Sequence, residues 1–168
     1  RIDGACARYL KARRRTKSMP RCLFIQGNTS LNIKNGDACF TEKGKQIVAA
    51  LNGDGPKDEG VLGRGVYKQY GKGKDGYNVI SNQFSIHYFF ENINTFQNFL
   101  RNLNENCKMG GYIIGTCYDG TKLFRALKKK QPDESVFILN NEGVKMWGIQ
   151  KKYAHTTFPN DESSLGYK

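Results

Sequence analysis

At 168 residues, 19.0 kDa and a formal charge of +12, the chain has the length of one domain rather than two. Its 10 Phe, 9 Tyr and single Trp exclude a disordered chain, and no apolar run approaches the roughly 18 residues of a membrane span. A pI near 9.6 makes a polyanion the expected partner, because Lys and Arg beside phosphates release condensed counterions.

In chain order, Ile2, Ala5, Cys6, Tyr9 and Leu10 recur at helical spacing and predict an amphipathic helix. It runs into the basic stretch Lys11–Arg15, suited to a helix C-terminus. After Pro20, the apolar run Cys22–Gln26 has the length of a buried parallel strand, and Asn28–Asn32 follows as a polar loop. Phe40, Ile47, Val48 and Leu51 mark a second helix. The Gly-dense stretch Gly53–Gly76 is expected to be a long, mobile surface insertion.

Tyr77–Ser81 predicts a second strand, and Ile93, Phe96, Leu100 and Leu103 a helix closed by Gly110 and Gly111. Tyr112–Thr116 predicts a third strand and Thr121–Lys130 a basic helix. Ser135–Leu139 and Lys145–Ile149 flank Asn140-Asn-Glu-Gly143, a hairpin signal. Strands alternating with helices imply an α/β fold, mostly parallel, with an antiparallel hairpin near the C-terminus. No repeat of a structural unit is present.

The five cysteines, Cys6, Cys22, Cys39, Cys107 and Cys117, include no C-x-x-C pair, and His87 and His155 are far apart. No metal site is expected, and the odd count argues against a secreted disulfide framework. Reduced thiols in an intracellular setting are the expectation.

Ligands of open α/β sheets bind beyond the carboxyl ends of the strands. Here those ends are Gln26–Thr29, Gln83–Tyr88 and Thr116–Asp119, rich in amides and aromatic rings that can face or stack on a nucleobase. Taken singly, an Asn after a strand is more often a turn residue, and a His such as His87 a core residue. Phe89 and Phe90 are assigned to packing.

The segment Val79–Tyr88, containing Gln83-Phe-Ser-Ile-His-Tyr88, is followed by Phe99-Leu-Arg-Asn-Leu103 and Met109-Gly-Gly-Tyr-Ile-Ile-Gly-Thr116. In order and spacing it resembles the mRNA cap guanine-N7 methyltransferases over about residues 77–120, with weaker similarity elsewhere. The resemblance implies a Rossmann-like sheet, S-adenosylmethionine as methyl donor, the capped 5′ end of mRNA as substrate, and no general base. It implies that Asn28, Gln83, Phe84 and Tyr88 meet the donor. Asn28 stands where the family usually has an acidic residue, so it keeps an acceptor without the charge. Phe84, His87, Tyr88 and Tyr118 are implied to line the pocket for the cap guanine. Lys11–Arg15 and Lys128–Lys130 are candidates to meet the cap triphosphate or the RNA beyond it, and each run taken singly reads at least as well as a solvated face.

The sequence Asp119-Gly-Thr-Lys-Leu123 is closer to the versions from large DNA viruses. These often carry fused RNA triphosphatase and guanylyltransferase domains, which become expected partners. A viral origin implies the host cytoplasm or the virion; a cellular one implies the nucleus. With Arg1 first, the chain is expected to be part of a longer methyltransferase domain, lacking the family's first two strands and its last. On its own it is then expected to be marginally stable and inactive. Another S-adenosylmethionine-dependent RNA methyltransferase, or a non-catalytic RNA-binding module on the same fold, remain as alternatives.

Overall fold

The computed structural model describes residues 4–152. Ile2 of the first predicted helix and His155 lie outside the described residues. The chain divides into two compact units, Arg1–Tyr77 and Asn78–Lys168.

In the first unit, α1 spans Ala5–Arg15, α2 Glu42–Asn52, α3 Glu59–Leu62 and α4 Arg64–Tyr67. Thr41 caps α2 by accepting from the Gly44 N–H at 3.0 Å, and α2 stops at Gly53, whose φ of 84° only glycine adopts without strain. The expected mobile insertion is instead ordered. Leu62 and Val66 are buried and form a core with Ala50, against which Leu23, Ile47 and Tyr70 pack. Its glycines permit close approach. The Gly71 and Gly73 N–H groups donate to the carbonyls of Ala50 and Leu51, both at 2.8 Å. A Cβ at Gly73 would lie 2.6 Å from the Tyr77 hydroxyl. Glycine density here reflects backbone docked on the end of α2, a signal that composition cannot separate from flexibility.

The run Cys22–Gln26 forms no strand. Its backbone meets the 38–40 loop through the Gly27–Cys39 bridge and the bond from Phe40 N–H to Gln26 oxygen. Phe24 and Ile25 stay exposed, because no strand among the described residues pairs with this segment to cover them.

The second unit contains β1 (Tyr77–Gln83, beginning at the boundary), a 3-10 turn at Ile86–Phe90, α5 (Ile93–Asn106) and β2 (Cys107–Thr116). Then come α6 (Gly120–Leu127), β3 (Ser135–Leu139) and β4 (Lys145–Gln150). Strands β1 and β2 pair, and Gln83 meets Thr116 where both strands end, so the pair is parallel and α5 is its crossover. This is a βαβ unit. A capping box, in which Asn92 and Thr95 each bond the other's backbone N–H, starts α5. Phe89 of the 3-10 turn stacks on Phe99 of α5, with centroids 4.4 Å apart, as its assignment to packing requires.

Strand β2 begins at Cys107, so Gly110 and Gly111 lie inside it instead of closing α5, and α5 runs straight into the strand. Val79, Ile113 and Ile114 are each about half exposed, since only one ladder and few helix contacts cover them among the described residues. Strands β3 and β4 form a separate antiparallel hairpin, Ser135 opposite Gln150, closed by the side chain of Asn140 accepting from the Glu142 and Val144 N–H groups.

The order of the Gly-dense segment can be checked directly. Leu62→Ala is expected to lower unfolding stability by about 2–5 kcal/mol, read as a drop in the urea midpoint, whereas a free insertion would tolerate it. A second outcome concerns Asp119, which caps α6. The Lys122 backbone N–H donates to its carboxylate at 3.0 Å and, with the Lys122 charge, holds the carboxyl below the ordinary 3.8. A lowered carboxyl stabilises the folded state above its unfolded value and loses that contribution as pH falls through the folded one. NMR titration should therefore place the Asp119 midpoint below 3.8, with α6 weakening only as it protonates.

Candidate functional site

Where β1 and β2 end together, three hydrogen bonds lock their tips. The Thr116 hydroxyl donates to Gln83 Oε1 at 2.8 Å, and Gln83 Nε2 donates to the Ser81 hydroxyl at 2.9 Å. The Phe84 N–H donates to the Thr116 carbonyl at 2.9 Å. Gln83 is thus held at both ends by its own sheet. Thr116, absent from the sequence-derived set, is its partner; the only signal was a Thr ending the strand after the Gly-Gly block.

Phe84 has φ of 50°, a left-handed conformation that costs energy in a residue with a Cβ and persists where the surroundings enforce it. The bond from its N–H to Thr116 is such a restraint. Its ring is 57% exposed, so burial does not repay the strain.

Three more rings gather beside it. The 3-10 turn brings His87 and Tyr88 together, centroids 4.3 Å apart. Tyr118, between β2 and the Asp119 cap of α6, stands 5.8 Å from Phe84 and 5.2 Å from His87. Tyr88 and Tyr118 are exposed, whereas His87 is half-buried. The Nδ1 atom of His87 is shut off from solvent and has no hydrogen-bond partner. Single exposed aromatics are ordinary on a protein surface. A strained Phe, two exposed Tyr and a half-buried His, all at one strand mouth, form a wall suited to a flat heterocycle.

Five of the six sequence-derived residues thus lie in one unit, and four of them share a ring cluster. Asn28 lies in the other unit. Its Oδ1 accepts from the Ser30 N–H at 3.0 Å, and its own N–H donates to the Ala38 carbonyl at 2.7 Å. The acceptor implied for the methyl donor is already bonded within its own loop, as in an ordinary Asx turn. Lys11–Arg15 lies on α1, and Lys128–Lys130 follows the end of α6. All five cysteines are free thiols, and no group of three or more His, Cys, Asp or Glu among the described residues could hold a metal ion.

Comparison with known proteins bears on the family of the chain. Residues 62–155 match the mRNA (guanine-N(7))-methyltransferase domain. The chain is also 35% identical over 92 residues to a probable mRNA-capping enzyme of Acanthamoeba polyphaga mimivirus. That alignment covers 54% of this chain and 7% of the relative, so the chain spans a small fraction of the capping enzyme it matches. A giant-virus relative accords with the viral character expected from Asp119-Gly-Thr-Lys-Leu123. With its βαβ unit, its Gln83–Tyr88 turn and more than half its length inside the match, the chain belongs to the mRNA guanine-N7 methyltransferase domain family.

Proposed function

We propose that the protein transfers a methyl group from S-adenosylmethionine to N7 of the guanine cap of mRNA, and that Phe84, His87, Tyr88 and Tyr118 hold the guanine. The observation that supports this best is the ring cluster at the paired ends of β1 and β2, with its strained Phe84 and unpartnered His87 Nδ1. A purine offers two faces that can stack on the exposed rings of such a cluster.

Gln83, Phe84 and Tyr88 stand at the carboxyl ends of parallel strands, the usual place for a nucleoside-containing ligand in this architecture, and so fit one wall of a donor site. The donor, when bound, supplies an electrophilic methyl on a sulfonium. Guanine N7 presents a lone pair and no proton, so none of these side chains has to remove one. Their work is to stack, orient and exclude water, and enforced alignment of two reactants can lower a barrier by roughly 7–11 kcal/mol. The RNA substrate, fused triphosphatase or guanylyltransferase domains and an intracellular, viral-factory location extend the same proposal. No helix among the described residues is long and apolar enough to cross a membrane.

The test is methyl incorporation by the full-length protein into GpppG and ApppA from labelled S-adenosylmethionine. The expected result is labelling of GpppG alone, at guanine N7. Phe84→Ala and Tyr118→Ala should each raise KM for GpppG about tenfold, in line with about 1–3 kcal/mol per stacked base, with a smaller change in kcat. His87→Ala should likewise act on KM, and the pH–rate profile should show no essential group assignable to it. Equal labelling of both dinucleotides, or none, contradicts the assignment.

A further inference from the structure

The first unit holds a cleft that the proposed reaction does not use. It has a volume of about 330 Å³ and is lined by Arg13, Arg21, Arg64 and Lys68 around Tyr9 and Leu23, with no carboxylate in its walls. Three segments distant in sequence build it. Tyr9 and Arg13 are four apart on α1 and so share a face, as do Arg64 at the start of α4 and Lys68, its C-terminal cap. The Tyr9 hydroxyl donates to the Pro20 carbonyl at 2.6 Å, and its ring packs 5.5 Å from Phe24, which ties α1 to the 20–24 segment. Leu23 of that segment packs on the core that contains Val66 of α4. The apolar contacts thus force four cations onto one hollow.

Such convergence is unfavourable in the absence of an anion. None of the four is ion-paired among the described residues, although the same unit pairs Lys45 with Glu42 elsewhere. Tyr9 adds an aromatic wall to the charged ones.

We propose that this cleft is a subsite for successive phosphates of a single-stranded RNA. Cations contributed by three segments suit a chain of phosphates, and Tyr9 suits the base or ribose between them. The inference deepens the cap-methyltransferase reading by placing part of the strand beyond the cap. Its test needs no cap, so either reading can fail without the other. The same charge could be drawn by a free polyphosphate, which the test separates.

The experiment measures binding of an uncapped, 5′-hydroxyl RNA oligonucleotide to the full-length protein by fluorescence anisotropy across a salt series. The double variant Arg64→Gln, Lys68→Gln is expected to flatten the slope of log affinity against log salt by about 1.4, roughly 0.7 for each phosphate no longer neutralised. Gly65→Leu provides an uncharged control on the same wall. Gly65 lines the cleft, and a Cβ there would meet nothing within 4 Å, so the fold should accept the side chain while the cleft loses volume. It should weaken RNA binding severalfold at fixed salt. Unchanged slope in the double variant together with unchanged affinity in Gly65→Leu overturns the proposal. So does dependence on these residues for inorganic tripolyphosphate but not for RNA, which would make the occupant a free polyphosphate.

Discussion

The candidate site depends on the way two parallel strands are tied at their carboxyl ends. The Phe84 N–H bonds the Thr116 carbonyl, and the Thr116 hydroxyl bonds the Gln83 amide, so the chain leaves β1 at a fixed place and angle. That exit sets the left-handed Phe84, and the following turn delivers His87 and Tyr88 to the same mouth. The cap of α6 by Asp119 fixes the other side, immediately after Tyr118. Phe89, buried against Phe99, anchors the turn from below. Positions that look interchangeable in an aromatic run therefore divide by function: Phe89 holds the fold, while Phe84, Tyr88 and Tyr118 remain available.

Charge and aromaticity are distributed in a corresponding way. The four rings beside β1 and β2 pack against one another and suit a base. The cleft of the first unit has four cations and one tyrosine, and suits phosphates. A capped transcript carries both chemistries, a purine at its tip and a polyanion behind it. A net charge of +12 alone would have fitted any polyanion; where the cations converge is the more informative observation.

The α2 and α5 helices were legible from their apolar stripes, which a local period reveals. The β3–β4 hairpin was legible from Asn140–Gly143, where turn chemistry is local. The failures have nonlocal causes. Cys22–Gln26 has strand composition, but a strand requires a partner, and among the described residues it meets only a loop. Gly53–Gly76 has the composition of a flexible loop, yet Leu62 and Val66 bury themselves and the glycines allow the backbone to dock on α2. For the site, the Gln83–Tyr88 block was readable as a motif. The role of Thr116 and the commitment of Asn28 to its own turn depend on hydrogen bonds that spacing does not encode.

The most direct test of the account is a crystal structure of the full-length protein with S-adenosylhomocysteine and GpppG bound. The account predicts one guanine packed against the rings of Phe84, His87 and Tyr118, with its N7 edge turned toward the sulfur. A guanine bound elsewhere, with those rings left in contact only with one another and with solvent, would contradict it.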